Sequence, residues 1–301
     1  MRLLLLVLFS VASLIVFLFF YNPKSLVNFV SNTNHIEIIT DLAYGDLERQ
    51  KLDIYIPKKI INKSDLRKIV IVFFHGGGWE LGSKDSFKFI ATRLTKEGYI
   101  VVLPNYRLYP EVVFPAFVED AALAVSWLHN NLEKYDINSD RLYLMGHSAG
   151  AQIASLLSTD EQYLINVGVG AKYIAGFIGL AGPYDFLPLK SNTRKKIFPE
   201  KTRTTSQPIN YVDGNEVPFL LLHGNDDRTV LPKNSKSLAE KIKSKNGNVT
   251  LRLYDNIDHS KILAPFVPGL NDFAPTLQDI VSFINSNNKA DTANSVSIKI
   301  Q

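Results

Sequence analysis

The sequence predicts an α/β fold: about eight strands in a mostly parallel sheet, flanked by helices, with a small lid-like insert. Three observations carry that expectation. Short apolar, β-branched runs alternate with amphipathic stretches along most of the chain, the pattern of strands wrapped by crossover helices. The first two runs lie close together, as an antiparallel edge would, whereas later runs are separated by helix-length segments. A sharp strand-to-helix junction is marked by Gly146-His147-Ser148-Ala149-Gly150.

The elements follow in order. Residues 3–20 form an apolar run in which only Ser10 and Ser13 are mildly polar, long enough to cross the hydrocarbon core as a helix. The run ends in Phe19-Phe20-Tyr21-Asn22-Pro23 with no small-x-small site, so residues 1–21 are read as an uncleaved membrane anchor; secretion after signal cleavage is the alternative. Arg2 and the α-amino group precede the run and Lys24 follows it, a balance that favours an exported catalytic domain. Residues 22–43 are a polar link and first edge strand, 44–286 the catalytic domain, and 287–301 a polar, disordered tail. Strands are expected at 35–41, 50–56, 68–74, 99–105, 141–146, 173–181, 217–223 and 248–254, and helices at 86–97, 117–132, 149–158, 233–245 and 274–285.

Composition narrows the function. The 301 residues, 46% hydrophobic and 21% charged, suffice for one large core. The net charge of +4 comes from 33 basic and 29 acidic residues spread along the chain, without a nucleic-acid-binding signature. With no cysteine there is no disulfide framework and no thiolate nucleophile or metal ligand. No metal or organic cofactor is implied, and a membrane is the expected partner at the N-terminus.

The chemistry concentrates in three places. Gly146-His147-Ser148-Ala149-Gly150 lies between the apolar run 142–145 and the helix-forming 151–157, the context of a nucleophile elbow. There the chain turns so sharply that residues two before and two after the serine must be small, and the serine takes a strained backbone conformation that projects its hydroxyl. His75-Gly76-Gly77-Gly78-Trp79 directly follows the run 69–74. Its glycines can turn backbone N–H groups toward a developing oxyanion, and Gly77, Gly78 and Ala149 are the expected donors. A phosphate cradle would need a terminal Lys-Ser/Thr or G-x-G-x-x-G spacing, and neither is present. Chain order in such a fold runs Ser, acid, His; of six histidines only His223 and His259 follow Ser148, and His223 closes a strand before the favoured acid, which leaves His259. His35, His75, His129, His147 and His223 read as structural. In His223-Gly224-Asn225-Asp226-Asp227-Arg228, spacing favours Asp227 as the acid that orients His259; Asp226 is second and Asp258 third.

At these residues the sequence resembles the α/β-hydrolase superfamily, in particular the esterase group with His-Gly-Gly-Gly-Trp that includes arylformamidase-like, prenylcysteine methylesterase-like and hormone-sensitive-lipase-like enzymes. The resemblance extends over 44–284 through Leu52-Asp53-Ile54-Tyr55-Ile56-Pro57, Asn105-Tyr106-Arg107-Leu108 with Pro110-Glu111, Phe114-Pro115-Ala116 and Glu119-Asp120, and Pro208-Ile209-Asn210-Tyr211-Val212. It implies Ser148, Asp227 and His259 as a triad, Gly77, Gly78 and Ala149 as oxyanion donors, and Arg107 with Asp120 as a structural pair. Histidine rather than aspartate before Ser148, alanine after Gly150, and the short link before the core depart from the hormone-sensitive-lipase branch and favour the smaller esterase and formamidase group. A partial lid is expected from 186–216, an insert rich in Lys190, Arg194, Lys195, Lys196, Lys201 and Arg203, which would face anionic lipid or an acidic substrate unless it is merely a solvated charge run. Three readings result: an ester hydrolase whose expected partner is a small-molecule ester, lipid-like esters included; an amide or formamide hydrolase with the same triad; and a binding protein on a hydrolase scaffold.

Overall fold

A computed structural model describes residues 33–58, 69–139 and 141–298. The expected membrane segment at 1–21 lies outside the described residues, among which no helix is long and apolar enough to cross a membrane.

Eight strands form one sheet: β1 (Ile36–Ala43), β2 (Lys51–Pro57), β3 (Val70–Phe74), β4 (Ile100–Pro104), β5 (Leu142–His147), β6 (Ile174–Leu180), β7 (Phe219–Gly224) and β8 (Val249–Tyr254). Their order is β1-β2-β4-β3-β5-β6-β7-β8. The pairs β1·β2 and β2·β4 are antiparallel and every later pair is parallel. Strands β3 to β7 are buried along their whole length, which is why they read as continuous apolar runs: both faces of a parallel sheet are covered by helices. The edge strands β1 and β8 are partly open to solvent.

The helices are α1 (Lys88–Lys96), α2 (Ala116–Asn131), α3 (Ala149–Thr159), α4 (Gln162–Ile165), α5 (Asn192–Ile197), α6 (Glu200–Arg203), α7 (Lys233–Ser244) and α8 (Thr276–Ile298). Alternation along β3 divides the core. Val70, Val72 and Phe74 join the cluster under α2, α3 and α7, and Ile71 and Phe73 join the cluster under α1 and α8. Helix α8 continues to Ile298, past residue 286 where the sequence predicted a tail. The short α4, α5 and α6 were not foreseen, because a single helical turn has no periodicity to read.

The chain runs from β3 outward to β4 and then crosses back to β5 on the other side of β3. The loops after β3 and β5 therefore diverge at a topological switch point, the place where open α/β sheets form their binding crevice.

Candidate active site

The nucleophile candidate is the last residue before α3. Ser148 has φ 55 and ψ −121, a region of backbone space that L-residues enter at a cost of about 1–3 kcal/mol. Its amide is tied to Leu180 O at 2.9 Å, and the side chain is 8% exposed. The turn is possible because nothing projects from the flanking glycines. A Cβ on Gly146 would lie 2.3 Å from Gly150 O, and one on Gly150 would lie 2.1 Å from Phe74 O.

His259, in the loop after β8, places Nε2 2.9 Å from Ser148 Oγ and Nδ1 2.7 Å from Asp227 Oδ2. Because a carboxylate can only accept, Nδ1–H donates to Asp227, and Nε2 is left to accept the Ser148 hydroxyl proton. Asp227, at the loop after β7, is 2% exposed. Its Oδ1 accepts from the N–H groups of Thr229 and Val230, both at 2.9 Å. Burial pushes this carboxyl up, but hydrogen bonds from His223, His259 and Val230 outweigh it and hold the group well below the usual carboxylate range. Asp227 therefore stays ionised beside His259. The two other aspartates considered from sequence lie apart: Asp226 is exposed, and Asp258 accepts from the Ser260 and Lys261 N–H groups of its own turn.

The loop after β3 supplies the other wall. Gly77 (φ 136) and Gly78 (φ 66) occupy backbone regions open chiefly to glycine. Among the described residues, the N–H groups of Gly77, Gly78 and Ala149 make no backbone hydrogen bond, so three donors remain available near the serine, Ala149 at the N-terminus of α3. Trp79 follows and is buried, and its Nε1–H donates to Gln152 Oε1 at 3.0 Å while Gln152 Nε2 donates to Ser206 O at 2.9 Å. Gln152, fully buried on α3, thus ties the glycine loop, the elbow helix and the insert together. Sequence reasoning missed it, although an amide in the otherwise apolar stretch 151–157 was a visible signal.

Two histidines read as structural sit against His259 and Asp227. His147 donates Nε2–H to His259 O at 3.0 Å, and its ring lies tilted at 42° against the His259 ring with centroids 4.8 Å apart. His223, completely buried, has Nε2 2.8 Å from Val230 O and 3.3 Å from Asp227 Oδ2, with Nδ1 2.7 Å from Ser235 Oγ. Facing two acceptors, Nε2 carries a proton, and His223 approaches the same carboxylate oxygen, Oδ2, that His259 does.

The insert between β6 and β7 packs over the glycine loop. Phe186 and Phe198 contact the Trp79 ring, the latter edge-on at 4.8 Å. Arg194 of α5 lies over Trp79 at 4.9 Å, donates to Gly78 O and faces Glu80 Oε2 at 3.6 Å. Burial lowers its guanidinium below the ordinary value, and Glu80 opposes that shift. Farther out, Asp120 is fully buried and bound by the Arg107 guanidinium at Nε and Nη2, the pairing the family resemblance implied. Among the described residues no group of His, Asp or Glu side chains could hold a metal ion.

Residues 52–242 match the BD-FAE family. A probable isoprenylcysteine alpha-carbonyl methylesterase of Arabidopsis thaliana is 29% identical over 269 residues, covering 81% of this chain and 55% of that protein. Kynurenine formamidase of Salmo salar is 28% identical over 243 residues, covering 77% and 78% respectively. This chain thus spans little more than half the length of the first of these relatives. Esterase B from Lactobacillus Rhamnosis superposes with a TM-score of 0.75 at 17% identity over 93% of this chain and 94% of that one, a likeness of fold. These relatives fit the α/β-hydrolase group that the His-Gly-Gly-Gly-Trp loop and the serine elbow resemble.

Proposed function

The chain belongs to the BD-FAE family, and from that premise we propose that it is a serine hydrolase that cleaves carboxylic esters through an acyl-enzyme. The observation that carries this reading is the continuous line Ser148 Oγ to His259 Nε2, and His259 Nδ1 to Asp227 Oδ2, at 2.9 and 2.7 Å. In the first half-reaction Ser148 Oγ attacks the carbonyl carbon while its proton passes to His259 Nε2. The negative oxygen of the tetrahedral intermediate falls to the N–H groups of Gly77, Gly78 and Ala149. Collapse breaks the bond to the alcohol oxygen, which takes the proton from His259, and leaves the acyl group on Ser148. Water then attacks the acyl carbon with His259 as base, and the acid departs as Ser148 recovers its proton. Asp227 holds the His259 tautomer and stabilises the imidazolium in both halves.

A formamide hydrolase with the same triad is the second reading, favoured by the likeness to a kynurenine formamidase that runs over most of both chains. The two share the tetrahedral intermediate and differ in the leaving group that His259 must protonate. The reading also includes a membrane anchor at residues 1–21 with the catalytic domain exported, supported by the apolar run and the charges around it.

The test uses the full chain in mild nonionic detergent, with p-nitrophenyl esters of graded length and an aryl formamide. Ester turnover is expected, falling about 10⁴-fold or more in Ser148→Ala. Turnover of the formamide alone would replace the ester reading by the second, and ester turnover that survives Ser148→Ala would overturn the mechanism.

A further inference from the structure

Two cavities flank Ser148, His259 and Asp227, and their walls share Arg228, Thr229 and Leu231. One, of about 770 Å³, is lined by His259 and Asp227 and not by Ser148. The other, of about 410 Å³, is lined by Ser148 and Gly78 and not by His259. In ester hydrolysis the imidazolium hands its proton to the departing alcohol oxygen, so the alcohol must lie on the His259 side and the acyl group away from it. The cavity at Ser148 and Gly78 is therefore the acyl side.

That cavity is lopsided in charge. Lys190, Arg194, Arg228 and Lys233 line it and no carboxylate does. Of the six basic residues in the insert only Lys190 and Arg194 reach it; Arg228 comes from the loop after β7, where it lines both cavities, and Lys233 from the start of α7. Two separate parts of the chain thus aim cations at one space, which a solvated charge run would not do. Lys190, Arg228 and Lys233 form no ion pair among the described residues, and Arg194 faces a single carboxylate, Glu80, at 3.6 Å. The remaining wall is largely apolar, suited to a methylene chain.

We infer that the acyl group of the substrate carries an anion at the end away from the scissile carbonyl, a half-ester of a dicarboxylic acid being the simplest case. The methylenes lie along the apolar wall, and the terminal carboxylate is met by Lys190, Arg228 and Lys233, while Arg194 is held on Gly78 O and the Trp79 ring at the near end. This rests on the ester-hydrolase reading above. It treats the cations as a specificity device for a small molecule; a lipid surface would draw on the whole basic insert rather than on the cavity.

The measurement is ethanol release by the full chain in nonionic detergent from monoethyl adipate and from ethyl hexanoate, which share a six-carbon acyl chain and differ in the terminal charge. The half-ester is expected to have the higher kcat/KM by roughly tenfold at low salt, the scale of a partly exposed charge-assisted contact. That preference is expected to shrink between about 0.01 and 0.15 M salt as the screening length falls from roughly 30 to 8 Å. In the double variant Arg228→Gln, Lys233→Gln the ratio is expected to drop, through KM of the half-ester rather than kcat. Ethyl hexanoate turned over by a Ser148-dependent route with no preference for the half-ester would overturn the inference and leave the ester reading standing. A preference unmoved by both salt and the double variant would overturn it as well. Turnover of ethyl hexanoate raised by phosphatidylglycerol vesicles, again without half-ester preference, would assign the cations to a membrane surface instead. If neither ester is turned over, the inference falls together with the reading beneath it.

Discussion

Asp227 illustrates how much of the site depends on contacts around single residues. Its carboxylate is met by His259, His223 and two backbone N–H groups, and the folded pKa is thereby depressed below the ordinary 3.8. On acidification the unfolded chain takes up this proton first. The stabilisation is thus full above pH 3.8 and lost as pH falls through the depressed folded value. Denaturant titrations of wild type and Asp227→Asn from pH 7 to pH 2.5 are expected to show a stability gap that is constant at neutral pH and narrows below about pH 4. Steady-state kinetics are expected to show kcat lowered about 10³- to 10⁴-fold in the same variant, because an amide can hold the wrong imidazole tautomer. His147 acts one step farther out, through the backbone carbonyl of His259. His147→Ala is expected to lower kcat about 10²-fold with KM little changed, the size of a positional error of about 1 Å. His147→Gln, whose Nε2–H can reach the same carbonyl, is expected to recover most of that loss. Loss of KM alone, or no recovery with glutamine, would remove His147 from a positioning role.

Helix α3 carries the consequence at the scale of an element, since its first turn must approach β3 and β5 without side chains in between. The Cβ of Gly150→Ala would meet the carbonyls of Phe74 and His75 at 2.1 and 2.5 Å, and backbone cannot yield as a flexible side chain can. That variant is expected to lose about 3 kcal/mol or more in chemical denaturation. One turn on, Gln152→Ala would leave the buried Trp79 indole N–H and Ser206 carbonyl without partners. A loss of about 1–3 kcal/mol is expected, together with a larger fractional loss of activity as the glycine loop and insert come free of the elbow. The major strands and helices were legible in sequence because fully covered parallel strands must be apolar throughout and covering helices must be amphipathic. The insert was legible only as a length of basic chain. Its single-turn helices are stabilised by Ile197 and Phe198, both fully buried against distant residues, and such long-range packing leaves no local periodicity.

Across the whole molecule, strand order brings the pieces together. Ser148 follows β5, the glycine loop follows the adjacent β3, Asp227 follows β7 and His259 follows β8. All four lie at the carboxyl edge of the sheet, so residues 111 positions apart come within 2.9 Å. The N-terminal run lends itself to a test at the same scale. If residues 1–21 are an anchor, the full chain is expected to stay with membranes after alkaline carbonate extraction and a chain lacking them to be released. A full chain found in the soluble fraction would sink that proposal.

By itself the sequence determined the α/β pattern, the elbow and glycine loop, and the order in which a serine, an acid and a histidine follow one another. Each of these rests on local constraints: side-chain periodicity, the backbone freedom of Gly77 and Gly78, and the close approach at Gly146 and Gly150. Only the tertiary structure decided which aspartate meets His259, because Asp226 and Asp227 are neighbours in sequence and differ only in the direction their side chains take from the loop. It alone placed His147 against the backbone of His259 and His223 against the Asp227 carboxylate, and it alone separated Lys190 and Arg194 from the other basic residues of the insert. Those distinctions depend on contacts between strands and loops far apart in the chain, and no local pattern encodes them.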